Sequence, residues 1–289
     1  MGTWGSGIYD DDFAADLRNS VAIVCKVPSG GDRLTEILLQ LHGITSESED
    51  ETTFWLVLAD QFERRGIECP GVFTTALSII ESGADLSRLK DQDADERFLK
   101  KRAVVLEALA TRLRAPRPFR PRSMPRKPPD LVLEVGSVFA FPTMNGFACS
   151  PWRLPRDGPF ATNGWGAFVV LDCGRAFDWL PWCALASLTV EPSRKPTIDD
   201  AIHANLIFHL QTDGAARCVP KRSDAKTMQL ELIGRIALDP NCVKPHLSKW
   251  SINDAIECGW SIANAGYSTS VQGLPRGPQL LSLMARNVG

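Results

Sequence analysis

No apolar run in this 289-residue sequence approaches the ~20 residues that cross a bilayer. Met1 is followed by Gly2, Thr3 and Trp4, so a basic-then-apolar leader is also missing and the cytoplasm is the expected location. The eight cysteines include no Cys-x-x-Cys pair and sit mostly in apolar runs, the pattern of reduced, buried thiols in a cytosolic protein. There is no Gly-x-Ser-x-Gly elbow, no Gly-x-x-x-x-Gly-Lys phosphate loop, no Gly-x-Gly-x-x-Gly after a strand and no His-Glu-x-x-His. Histidine is scarce, at His42, His203, His209 and His246. Cys242 and His246 have a spacing that a metal site uses, but one pair is not the three or four ligands that zinc takes. No cofactor, metal or catalytic residue is assigned. A Cys/His pair assembled from distant positions is the form an unrecognised enzyme would take.

What is present is charge of unequal distribution. Residues 1–113 carry a net charge of −8, residues 114–130 carry +5 and residues 131–289 carry +1. The basic segment contains six prolines and six Lys or Arg in 17 residues. Proline lacks a backbone donor and moves the residue before it out of helical angles, so neither a helix nor a central strand runs through it. The expected organisation is a helical domain over 1–113, an exposed Pro/Arg-rich linker over 114–130, and a β-rich domain over 131–289.

In the first half Asp10, Asp11 and Asp12 mark a helix start, where carboxylates cap free N–H groups and favour the positive end of the dipole. A metal site made by Asp10, Asp12 and Asp16 is the alternative, but the full calcium-loop pattern is missing. Phe13, Leu17, Val21 and Val24 share a face. Further helices are expected over 32–41, from the acidic loop at 46–51 to Gly66, from Pro70 to Gly83, and over 94–113. In the last, Lys100, Lys101 and Arg102 are expected on the solvated side. Five helices with short connections predict a bundle.

In the second half the run from Asp130 to Pro142 reads as a strand, and Asn145-Gly146 as a hairpin turn. Gly164 to Asp172 reads as a strand buried on both faces, and Trp179 to Val190 continues the pattern. Thr197 to Leu210 is expected as a short helix, 228–238 as a strand, and 251–262 as a helix capped by Ser251. The predicted class is α+β: an N-terminal all-α helical bundle plus a C-terminal β-rich α+β domain, for which a small barrel is one closure of the strands.

Two resemblances bear on function. The opening Trp4-Gly5-Ser6-Gly7-Ile8-Tyr9-Asp10-Asp11-Asp12 resembles a bacterial family of unknown function that begins Trp-Gly-x-Gly-x-aromatic-Asp-Asn/Asp-Asp. Phe54-Trp55-x-x-Leu58-Ala59-Asp60 and Lys101-Arg102-Ala103-Val104-Val105-Leu106 extend it over residues 1 to about 113. Val135 to Pro142, with Gly136-Ser137-Val138-Phe139-Ala140-Phe141, resembles the start of an immunity-protein family of polymorphic toxin systems, in which Asp usually stands at the place of Ser137. That resemblance implies a non-enzymatic inhibitor that binds and blocks a toxin.

The candidate partner-binding residues are the acidic Glu47, Glu49, Asp50 and Glu51, with Trp152 and Trp182 as exposed aromatics beside prolines. The expected partner is a basic bacterial toxin, and no membrane is implied. The alternative partner is nucleic acid, engaged by Arg114, Arg117, Arg120, Arg122, Arg126 and Lys127, with Phe119 stacking on a base.

Overall fold

A computed structural model describes residues 5–149, 158–210, 212, 214–265 and 273–285. The chain divides into two compact units, Met1–Lys127 and Pro128–Gly289.

The first unit is all-helical. Its helices are α1 (Asp12–Val24), α2 (Gly31–His42), α3 (Glu51–Arg65), α4 (Pro70–Ser82), α5 (Ala84–Asp91) and α6 (Glu96–Arg114). Asp11 caps α1 by accepting from the Ala14 amide, Asp95 caps α6 by accepting from Phe98, and Pro70 opens α4. α3 is the central helix. Phe54, Leu56, Val57, Leu58, Ala59 and Phe62 are fully buried, and so is Asp60. A helix buried on nearly every side has no solvent face for its charges. Six helices form where five are expected, because Ala84–Asp91 is a separate helix.

Arg102 is not on the solvated side of α6. Its guanidinium is buried, with Nε 2.7 Å and Nη2 3.2 Å from the two oxygens of the fully buried Asp85. The remaining donor Nη1 reaches the Gly7 carbonyl at 2.7 Å. Gly7 donates its own N–H to Asp10 Oδ2 at 2.8 Å. A Cβ on Gly7 would lie 2.8 Å from that oxygen, so a side chain there displaces the turn. Tyr9 donates its hydroxyl to Asp60, and Gln61 donates to the Tyr9 oxygen. The three motif stretches, far apart in sequence, thus meet as one clasp that fastens residues 7–10 to α3 and α6.

The second unit is built on one sheet. In chain order it contains β1 (Ser137–Met144), β2 (Phe147–Ala148), β3 (Gly164–Ala176), β4 (Leu180–Leu188), α7 (Ile198–Ile202), β5 (Asn205–Ile207), β6 (Ala216–Cys218), α8 (Arg222–Thr227), β7 (Glu231–Arg235), α9 (Pro240–Val243), α10 (Ile252–Glu257), α11 (Ile262–Ala265) and β8 (Arg276–Gln279). The sheet order is β2-β1-β3-β4-β5-β8, with β6 also on β4 and β7 also on β1. Every strand pair is antiparallel. The sheet is open, not a barrel: β1, β3 and β4 form its middle, and shorter strands flank them without joining the two sides.

The turn at Asn145 and Gly146 has φ of 54° and 86°, the left-handed pair a tight hairpin needs. β3 is buried on both faces. Val138, Val169, Ala186, Leu188, Leu206 and Leu280 make one core, and Phe141, Phe168, Val170, Leu185 and Met228 make a second. A run buried on both sides reads as continuous rather than alternating hydrophobicity. The segment expected as one helix over 197–210 is instead α7 followed by β5. The Thr197–Asp200 capping box starts the helix, and the chain then turns so that Leu206 and Phe208 join the core. The helix expected over 251–262 is likewise shorter: Ser251 and Asp254 form its capping box, it ends at Glu257, and α11 begins separately at Ile262.

Candidate functional site

Two acidic runs of the helical unit, 10–12 and 47–51, are separated in the chain by α1 and α2. A turn sets the loop before α3: Ser48 Oγ accepts from the Thr45 amide at 2.9 Å, and the Glu51 amide donates to the Ser48 carbonyl at 3.1 Å. This path leaves Glu47 and Glu49 exposed, with Asp50 and Glu51 half-buried. Glu51 Oε1 accepts from the Trp55 indole at 3.3 Å. The Asp50 carboxyl is pushed above its ordinary range by burial, then by the like charges of Asp11 and Glu49, with Arg88 opposing. Asp16 is pushed up by burial and by Asp12. A carboxyl raised by the charge of another carboxylate lies within electrostatic reach of it. Asp11 of the first run therefore lies near enough to Asp50 of the second to repel it.

Other acidic residues are neutralised inside the unit, which sequence periodicity does not reveal. Asp60 is bonded by Arg64 Nε at 2.7 Å and by Arg112. Glu63, 2% exposed at its side chain, meets Arg112 at 2.7 Å and Arg117 at 3.0 Å. Asp85 is held by Arg88 and Arg102. Exposed carboxylates of the unit include Glu47 and Glu49 on the loop before α3, and Asp91, Asp93, Asp95 and Glu96 around the start of α6.

The basic segment is exposed along most of its length and is fastened to the helical unit at several points. Arg114 pairs with Glu81 at 3.0 Å and Glu107 at 3.4 Å. Arg117 pairs with Glu63. The Arg120 amide donates to the Gly66 carbonyl at 2.9 Å. Arg122 Nη2 donates to the Cys25 and Val27 carbonyls at 2.6 and 2.7 Å. Phe119, 41% exposed, stacks on Phe73 with centroids 6.4 Å apart. Arg126 and Lys127 are exposed. Beneath the segment is a cleft of about 610 Å³ whose walls include Asp32, Glu68, Arg120 and Arg122 over Ile67 and Pro70. Its charges are of both signs, so it selects no anion or cation by charge alone.

Trp182 is half-buried on β4. Its ring covers Gly174 of β3, where a Cβ would come within 2.6 Å of it, and the Arg217 guanidinium lies 5.4 Å from its centroid. Trp152 lies outside the described residues. Cys242 Sγ donates to Asp239 at 3.6 Å, and His246 stacks on Phe208 with centroids 6.5 Å apart. Among the described residues no group of three or more His, Cys, Asp or Glu is placed to hold a metal ion. Asp10 and Asp11 are instead engaged with the Gly7 and Ala14 amides.

No family model, curated protein or solved structure matches this chain.

Its chemistry must therefore be taken from its own atoms. The Cys25 and Cys69 thiols are both pushed up by burial, which keeps them protonated at neutral pH and poor as nucleophiles. Among the described residues no helix is long and apolar enough to cross a membrane. The loop before α3 offers a different capability. Glu47 and Glu49 are exposed there, and exposed carboxylates attract a cationic surface over a Debye length of roughly 8–10 Å.

Proposed function

We propose that the chain is a non-enzymatic bacterial binding protein, an immunity-type inhibitor that acts in the cytoplasm on a basic toxin. The observation that carries this reading is the exposure of Glu47 and Glu49 on the loop at the N-terminal end of α3, where burial and the charges of Asp11 and Glu49 raise Asp50. A surface that holds like charges against their repulsion gains free energy when a cationic partner arrives. Such a surface speeds association more than it slows release. Toxins that act on nucleic acid carry basic clefts, and carboxylates at this end would occupy such a cleft as the substrate's phosphates do. The resemblance of Val135–Pro142 to an immunity family supports the same reading.

The nucleic-acid alternative draws less support. Arg114 and Arg117 are paired with carboxylates, and Arg122 is spent on two backbone carbonyls. The test is co-expression with the product of the adjacent gene. Rescue of growth together with a stable complex upholds the proposal. A toxic neighbour that is neither bound nor neutralised overturns it, and salt-dependent oligonucleotide binding without any protein partner would favour the alternative.

A further inference from the structure

Three cysteines stand in one row across the sheet of the second unit. Cys173 of β3 is opposite Cys183 of β4, and Cys183 is opposite Cys218 of β6. Directly opposed residues of antiparallel strands project to the same face. Cys183 and Cys218 are 1% and 0% exposed, and their sulfurs are 3.5 Å apart. Cys173 is turned to another partner, its thiol donating to the Leu133 carbonyl at 3.3 Å. Opposed Cα atoms in an antiparallel pair lie about 4.5–5.5 Å apart. That falls inside the roughly 4.4–6.8 Å that disulfides span.

We propose that Cys183 and Cys218 form a latent disulfide, closed by a small hydroperoxide, that staples β6 to β4. In the first step a thiolate sulfur attacks one peroxide oxygen. The O–O bond breaks, the departing oxygen takes up a proton, and the sulfur becomes a sulfenic acid. In the second step the other sulfur attacks the sulfenic sulfur. The S–S bond forms, the S–O bond breaks, and the thiol proton leaves with the hydroxyl as water. With hydrogen peroxide the balance is two thiols and one peroxide to one disulfide and two waters. Two electrons pass from sulfur to oxygen. The buried setting excludes bulky disulfide reagents, and burial pushes the Cys183 thiol up, so closure is slow and follows local opening. β6 is suited to that opening. It has three residues, pairs among the described residues with β4 alone, and is flanked by the bridge between Ala215 and Leu247.

The bond would join residues 35 apart and enclose α7 and β5. A closed loop of that length restricts the unfolded chain, raising the unfolding midpoint of the second unit by on the order of 10 °C. The test uses the full chain carrying Cys258→Ser, which removes an exposed thiol that would link molecules together. The reduced protein is incubated with hydrogen peroxide, alkylated in denaturant and digested without reductant, with the wild-type chain in parallel. The expected result is a Cys183–Cys218 peptide as the principal disulfide, reversed by dithiothreitol and accompanied by the rise in midpoint. A Cys218→Ala chain should give neither. Recovery of Cys183 and Cys218 as free thiols after Cys173 has been oxidised overturns the proposal, and so does a Cys173–Cys183 linkage as the main product. The wild-type mapping decides the question even if the alanine variant does not fold.

Discussion

Replacing Arg112 with leucine removes the cation that bridges two buried carboxylates. Arg112 reaches Asp60 through Nη2 and Glu63 through Nη1, the latter at 2.7 Å, while its own side chain remains 31% exposed. Asp60 and Glu63 are 0% and 2% exposed at their side chains. Breaking a buried pair by removing one partner costs about 3–5 kcal/mol, mostly because the remaining charge is left without compensation. Here each carboxylate keeps a second cation, Arg64 for Asp60 and Arg117 for Glu63, but both are more than half exposed and screened by water. A loss of about 2–4 kcal/mol is therefore expected. With a urea dependence of about 2 kcal/mol per molar, the midpoint of the helical transition falls by roughly 1–2 M. The pH dependence has a defined sign. Burial works to raise the Asp60 pKa, but hydrogen bonds from Tyr9, Arg112 and Arg64 outweigh it, and the net shift is downward. The stabilisation is thus fully present above the unfolded-state carboxylate value near ~4 and is lost as pH falls through the lower folded value. Urea unfolding followed by far-ultraviolet circular dichroism at pH 7 and pH 3 measures both effects. A loss below ~1 kcal/mol at pH 7, or one that does not shrink at pH 3, would refute the assignment of this pair as a net stabilising contact.

Burial, followed by the hydrogen bond and charge of Asp60, pushes the Tyr9 hydroxyl well above its ordinary pKa, so folding favours its protonated form. Its contribution is complete below the unfolded value of about 10 and declines as pH rises toward the folded one. Tyr9→Phe should cost about 1–2 kcal/mol at pH 7 and leave a flatter alkaline stability profile; an unchanged profile would contradict this. Arg102→Met should destabilise the helical unit by about 2–4 kcal/mol, because it leaves the buried Asp85 carboxylate with Arg88 alone and frees the Gly7 carbonyl, and thermal unfolding of the full chain would report it. Gly174→Val places carbon where the Trp182 ring lies, so that indole should become more solvent-exposed and its fluorescence shift to longer wavelength; an unshifted spectrum would mean the ring is not seated there.

The helix ends were legible in the sequence because caps are local chemistry. Asp11, Pro70, Gly83 and Ser251 each act within a turn of their own position. α5 was not, because only Asp85 and Leu89 of its eight residues are buried and it shows no apolar stripe. The buried carboxylates were illegible for a related reason. A charge at a core position looks like a surface charge until its partner is known, and Asp60 and Arg112 are 52 residues apart. In the second unit the continuous apolar run of β3 gave away its two-sided burial, whereas sheet order depends on pairings that periodicity does not encode. β5 was read as helix because three strand residues after a capped helical turn are too few to establish a period of two. At the candidate site each acidic run was visible singly. The effect of Asp11 on Asp50 depends on how α1 packs against α3, which is tertiary information.

The association rate of the chain with the toxin proposed as its partner, measured at low and physiological ionic strength, tests the central claim most directly. The comparison is between the wild-type chain and one carrying Glu49→Lys, Asp50→Lys and Glu51→Lys. If the acidic end steers association, the wild-type rate falls steeply with salt, and the charge-reversed chain associates about 10–100-fold more slowly at low salt with a smaller change in dissociation. Equal association rates for the two chains at low salt would contradict the account and remove this end of the helical unit as the docking surface.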